Sequence, residues 1–149
     1  MTTRVADRAV LDTNVLLAAT DQGRSEHARA LAALNDWPNA GTVLYTSVQI
    51  LREYLSVATR PLRVNGLGMT QRDATSNVRR LLERMRLLTE TDRVMDSLLT
   101  LLDSTHCAGK HVHDANIVAT MMAHGIDTLV TMNVDDFKRY GDHVRTVAL

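Results

Sequence analysis

His111–Phe137 reads HVHDANIVATMMAHGIDTLVTMNVDDF, and its pattern decides the fold. Ala115, Val118, Ala119 and Met122 recur at helical spacing, which predicts a helix with one buried face. His124 and Gly125 close it, since glycine most easily takes the left-handed conformation after a helix. Thr128–Thr131 (TLVT) is then a short, β-branched apolar run, the mark of a strand covered on both sides. Asp114 stands at the first turn of the helix, and Asn133 and Asp136 follow the strand. Polar groups gathered at helix starts and strand ends are where open α/β sheets bind ligands.

Upstream the same alternation recurs. Val10–Leu11–Asp12 ends a short apolar run, which predicts a first strand with Asp12 at its carboxyl end. Thr13 and Asn14 make a turn into a helix over Val15–Thr20. The plainer role for Asp12 is to cap that helix. Ser25 is read as the cap of a second helix through Ala33, with Ala28, Leu31, Ala32 and Leu34 inward. Asn35–Gly41 (NDWPNAG) has the composition of a turn throughout. Thr42–Tyr45 predicts a second strand, and Thr46 with Gln49 a capping box opening a helix to about Ala58. Glu53 borders the apolar stripe of that helix; a carboxylate there is usually solvated or paired, and needs a partner such as a metal if it is not.

Pro61 and two glycines break the chain at Arg60–Gly68. A helix beginning near Thr70 follows, with Val78, Leu81, Leu82 and Met85 on one face and Arg79, Arg80 and Arg84 elsewhere. Arg86–Thr89 predicts another parallel strand, Asp92–Thr105 an amphipathic helix with Val94, Met95, Leu98, Leu101 and Leu102 inward, and Val144–Ala148 an edge strand. Alternating strands and helices give an α/β fold with a central, mainly parallel sheet flanked by helices.

At 149 residues the chain predicts one domain, 1–149, and a hydrophobic fraction of 45% argues for a folded globule. No apolar run reaches the roughly 20 residues of a membrane span, and the N-terminus lacks the pattern of a signal peptide. Cys107 is the only cysteine, which suits the cytoplasm. Net charge is zero, so bulk charge gives no argument for nucleic acid. Residues 52–93 nevertheless hold nine Arg against five acids, while the remainder holds eight bases against twelve acids. Arginine matches phosphate geometry, although solvated helix faces explain the bias equally well.

Asp12, Glu53 and Asp114 have related placements, and Asn133 and Asp136 follow the last buried strand. Carboxylates brought together without basic partners repel, and such a cluster is stable chiefly around a divalent cation. Oxygen donors select hard ions, Mg²⁺ or in its place Mn²⁺, over zinc.

Four segments carry a resemblance: LDTNVLL at 11–17, TSVQILREYLSVATRP at 46–61, VHDANIVAT at 112–120 and LVTMNVDDF at 129–137. In order and spacing they resemble the PIN-domain ribonucleases, and among these the VapC toxins of bacterial toxin–antitoxin pairs. The resemblance implies a PIN-like fold and a Mg²⁺-dependent endoribonuclease, usually a homodimer, held inactive by a cognate VapB-type antitoxin. It places Asp12, Glu53 and Asp114 on the family's three acidic positions. The fourth, often acidic in the family, is Asn133 here, and Asp136 contributes instead or holds the loop. An uncharged Asn133 favours one resident ion, with a second arriving with RNA. In this scheme Asp12 and Asp114 hold Mg²⁺, and Glu53 binds through water or orients the attacking water. Thr13 is a candidate to position a ligand, and Arg79 and Arg80 to grip RNA phosphates. The antitoxin is expected to dock an apolar helix between the early helices. Two other readings differ in class: a PIN-like module that binds RNA or protein without cutting, and a phosphoryl-transfer enzyme with an aspartyl nucleophile. The latter wants a second acid two residues after Asp12, where Asn14 stands.

Overall fold

The computed structural model describes residues 5–149; residues 1–4, part of the expected single domain, lie outside the described residues. Five strands, β1 (Arg8–Leu11), β2 (Val43–Ser47), β3 (Arg86–Leu88), β4 (Thr128–Thr131) and β5 (Arg145–Ala148), form one sheet in the order β3-β2-β1-β4-β5. Every pairing is parallel, with Val10 between Tyr45 and Leu129 at the centre. Parallel strands need crossover helices, and right-handed crossovers fix which face each helix covers. Helices α1 (Thr13–Thr20), α2 (His27–Asn39), α3 (Val48–Thr59) and α4 (Gln71–Arg84) pack on one another, and α5 (Asp92–Ser104) packs on α6 (His111–His124). The β3-to-β4 crossover runs opposite to the earlier two, which sends α5 and α6 to the other face of the sheet.

Covered on both faces, the central strands are apolar nearly throughout. Ala9, Val10 and Leu11 of β1 and all four residues of β4 are buried. Tyr54, Tyr140, Phe137, Leu16 and Leu101 are the large side chains that fill the layers on either side. The expected α/β fold with a parallel sheet is therefore observed, including the β5 edge strand.

Several local expectations are corrected. Asn35–Gly41 is no turn: α2 continues to Asn39 with Pro38 inside its last turn. Proline there forfeits one backbone bond, while Ala40 and Thr42 N–H groups still reach the carbonyls of Asp36 and Trp37. The actual reversal is at Gly41, with φ +100°. Ala30, Ala33 and Leu34 form the buried face of α2, whereas Ala28 is exposed. Ser25 does not cap it; the N-cap is Glu26, whose side chain makes no capping hydrogen bond to the helix. Leu82 and Met95 project outward instead of into the core. Helix α6 begins at His111, and Gly125 ends it at φ +68° as its position predicts.

Candidate active site

In strand order, β1 lies between β2, reached by a crossover on one face, and β4, reached by one on the other. Such a switch point opens a crevice beyond the carboxyl ends of the two strands. Asp12 follows β1 directly, and Thr131 is the last residue of β4.

Asp12 is buried, and both oxygens are held. The Thr13 N–H donates to Oδ1 (2.8 Å) and the Thr131 hydroxyl to Oδ2 (2.8 Å). Thr131 Oγ1 in turn accepts from Asn14 Nδ2 (3.2 Å) and from the Asn133 N–H (3.0 Å), which uses its donor and both acceptor sites. Asn14 closes the circuit by accepting from the Met132 N–H (3.2 Å). Asp12 thus caps α1 and also faces the crevice, joining the two readings its position allowed.

Glu53, in the second turn of α3, comes alongside. The Thr13 hydroxyl donates to its Oε2 (3.0 Å) and Gln49 Nε2 to its Oε1 (2.9 Å). Thr13 is therefore turned toward Glu53, and Gln49 does not serve in a capping box. Ser47 is the cap of α3, accepting from the Ile50 N–H (3.2 Å). Thr46 is buried with its hydroxyl unpartnered among the described residues.

Asp114 sits in the first turn of α6, half-buried. Burial is the main cause that raises its pKa, and the charges of Asp136 and Glu53 add to it, against opposing contributions from His111 and Arg139. Asp12 is raised further, from 3.8 to about 6, chiefly by burial; the Thr131 and Thr13 bonds oppose the rise, and Glu53 and Asp114 reinforce it. Four carboxylates thus share one electrostatic neighbourhood, and no ion pair among the described residues engages any of them. Asp136, exposed in the 3₁₀ turn Val134–Tyr140, reaches this neighbourhood through its charge; Asn133 is exposed as well, and its backbone braces Thr131.

The donors are all oxygens, the set that suits a hard cation. Among the described residues no three His, Cys, Asp or Glu side chains close around a point.

Arg79 and Arg80 are not brought to these acids. Both are exposed on α4, and Arg80 lines a separate cleft of about 340 Å³ with Thr20, Leu31, Leu34 and Leu81, at the end of α1 opposite Asp12. Gln49, Asn14 and Thr131 are the organising residues that the sequence reading passed over. The signals were present: a glutamine one helical turn before an acid, an amide two residues after one, and a hydroxyl ending an otherwise apolar strand.

Among curated proteins, the chain is 28% identical over 136 residues to Ribonuclease VapC24 of Mycobacterium tuberculosis, covering 88% of this chain and 90% of that one. Among solved structures, it resembles VapBC2 from Rickettsia felis bound to a DNA fragment from the promoter, with a TM-score of 0.67, 16% identity, and coverage of 95% of this chain and 98% of that one. It also resembles M. tuberculosis VapC20, described as a sarcin–ricin loop cleaving toxin, with a TM-score of 0.64, 19% identity, and coverage of 93% and 98%. These likenesses establish a shared fold. The PIN-domain family model matches residues 9–142, from within β1 to the turn before β5, and so takes in the whole acidic crevice: the chain belongs to the PIN-domain family.

Proposed function

We propose that this chain is a VapC-type toxin, a Mg²⁺-dependent endoribonuclease that Mn²⁺ also supports. The observation that carries the reading is the mutual electrostatic influence of Asp12, Glu53, Asp114 and Asp136, none of which has an ion-pair partner among the described residues. The family membership and the name of the VapC24 relative support it from another side.

Asp12 and Asp114 would hold the ion. When bound, it supplies a lowered pKa for a water molecule and offsets charge on the scissile phosphate. Glu53, steadied by Thr13 and Gln49, orients the attacking water and takes its proton. Thr131 keeps Asp12 aimed into the crevice. Asp136 supplies the fourth acidic position, and Asn133 serves through its backbone.

The cleft between α1, α2 and α4, with Leu31, Leu34 and Leu81 on its walls, suits an amphipathic helix of a VapB-type antitoxin. Structures of VapBC pairs among the fold's neighbours support such a partner. We place the protein in the cytoplasm, as a homodimer and as a single domain over its 149 residues; no helix among the described residues is long and apolar enough to cross a membrane.

The test is incubation of antitoxin-free protein with a pool of structured RNAs in Mg²⁺, in Mn²⁺ and in EDTA, beside Asp12→Asn. Metal-dependent cuts at discrete sites, absent from the variant, are the expected result. Binding without cutting in either metal, by wild type and variant alike, overturns it in favour of a binding module.

A further inference from the structure

Gln49 is 3% exposed, and its amide is committed on three sides. Nε2 donates to Glu53 Oε1 (2.9 Å) and to the backbone carbonyl of His113 (2.8 Å), and Oε1 accepts from Asn116 Nδ2 (2.7 Å). Asn116 uses its other proton on Glu90 Oε1 (2.9 Å). The first contact lies within α3, and the other two reach the first two turns of α6, the helix that carries Asp114. The two helices cover opposite faces of the sheet, so this buried amide ties the helix of Glu53 to the helix of Asp114.

The network also fixes which way the amide points. Two acceptors, the Glu53 carboxylate and the His113 carbonyl, face one end, and a donor, Asn116, faces the other. A flipped amide would set its carbonyl against both acceptors and its NH₂ against the Asn116 NH₂. Asn116 thus adds its donor at the carbonyl end to the two acceptors that keep the NH₂ of Gln49 turned toward Glu53.

We infer that Gln49 is a positioning residue for the nuclease reaction, with Asn116 as the group that orients it. Together they hold the Glu53 carboxylate in one rotamer and fix its placement against Asp114. The inference rests on the ribonuclease reading. It assigns to this pair the outer-shell role that usually accounts for about 10–100-fold in metal affinity or activity when removed.

Three variants test it. Gln49→Glu keeps the shape and removes the donor. Asn116→Asp keeps the shape and presents an acceptor to Gln49 Oε1, which favours the flipped amide. Asn116→Ala removes the orienting donor without imposing the flip. Each is first checked for folding by circular dichroism and its thermal midpoint. Mn²⁺ affinity is then measured without RNA by electron paramagnetic resonance, and kcat and KM are measured on an RNA that the wild type cuts.

Expected for Gln49→Glu is a kcat about 10–100-fold lower with altered Mn²⁺ affinity and a KM within about threefold of wild type. Asn116→Asp follows it, and Asn116→Ala loses less. Folded variants with wild-type kcat and Mn²⁺ binding, or with a rise in KM alone, overturn the positioning role. If Gln49→Glu does not fold, the order of the two Asn116 variants decides, and Ala equal to or worse than Asp overturns it. A wild type that neither binds Mn²⁺ nor cuts RNA overturns the ribonuclease reading first, and this inference with it.

Discussion

Thr131 Oγ1 donates to Asp12 Oδ2 at 2.8 Å, joining the ends of two adjacent strands across 119 residues of sequence. The same hydroxyl accepts from Asn14 and from the Asn133 backbone, so one buried oxygen organises three segments. Thr131→Val keeps the shape and deletes every one of these bonds. The Asn14 amide and the Asn133 N–H lose their acceptor, and Asp12 loses a donor. We expect a loss of ~1–3 kcal/mol in unfolding free energy by urea denaturation, together with reduced cleavage. Thr131→Ser, which retains the hydroxyl, should recover most of both.

Asp12 also ties stability to pH. Its folded pKa of about 6 lies above its ordinary 3.8. Between those values the native state holds a proton that the unfolded chain releases, so Asp12 costs stability progressively as pH rises through that window. The cost is absent below pH 3.8 and complete above about pH 6, reaching ~3 kcal/mol. Thermal or urea unfolding of Asp12→Asn against wild type in EDTA should show the difference moving in the variant's favour by up to that amount across this window. Mg²⁺ should flatten the wild-type curve alone. Metal-dependent cleavage should rise through pH about 6 as the carboxylate becomes available, and its midpoint should move lower at higher Mg²⁺.

The fourth acidic position can be assigned by substitution. Both side chains are exposed, but Asp136 carries a charge that acts on Asp114 and Asn133 carries none. Asp136→Asn should therefore cut metal-dependent cleavage by about 10-fold or more, whereas Asn133→Ala should stay within about threefold of wild type. The reverse ranking in parallel cleavage assays would return the position to Asn133.

Ser47 and Thr46 give opposite predictions one residue apart. Ser47→Ala removes the hydroxyl that accepts from the Ile50 N–H and should cost about 1 kcal/mol. Thr46→Val removes a buried hydroxyl with no partner among the described residues, and should be neutral or stabilising by up to about 1 kcal/mol. Unfolding curves of the two variants distinguish the caps directly.

The difference between those two residues shows what the sequence could convey. Hydrophobic periodicity located all five strands, because each buried strand must be apolar and short and each helix must present a stripe. It also put Asp12 at a strand end and Asp114 at a helix start, while Glu53 stood only on the border of a helix stripe until the family resemblance joined it to them. Which of two adjacent hydroxyls caps α3 depends on a backbone dihedral at a single residue, Ser47 at φ −123° and ψ 163°, and no spacing rule separates it from Thr46. The partners of Gln49 lie 64 and 67 residues away on another helix, beyond any local pattern. Pro38 marked a turn by composition, yet helix geometry tolerates proline where only one carbonyl loses its partner.

The place of β1 between β2 and β4 has a consequence for how the protein is made. Asp12 is synthesised more than a hundred residues before the strand that completes its surroundings, which starts at Thr128. Until then β1 has a neighbour on one side only, and the carboxylate lacks the Thr131 hydroxyl. A product truncated before β4 therefore carries two of the three principal acids, or all three, and no finished site. Whatever this crevice does, it does only once β4 has been made and has paired with β1.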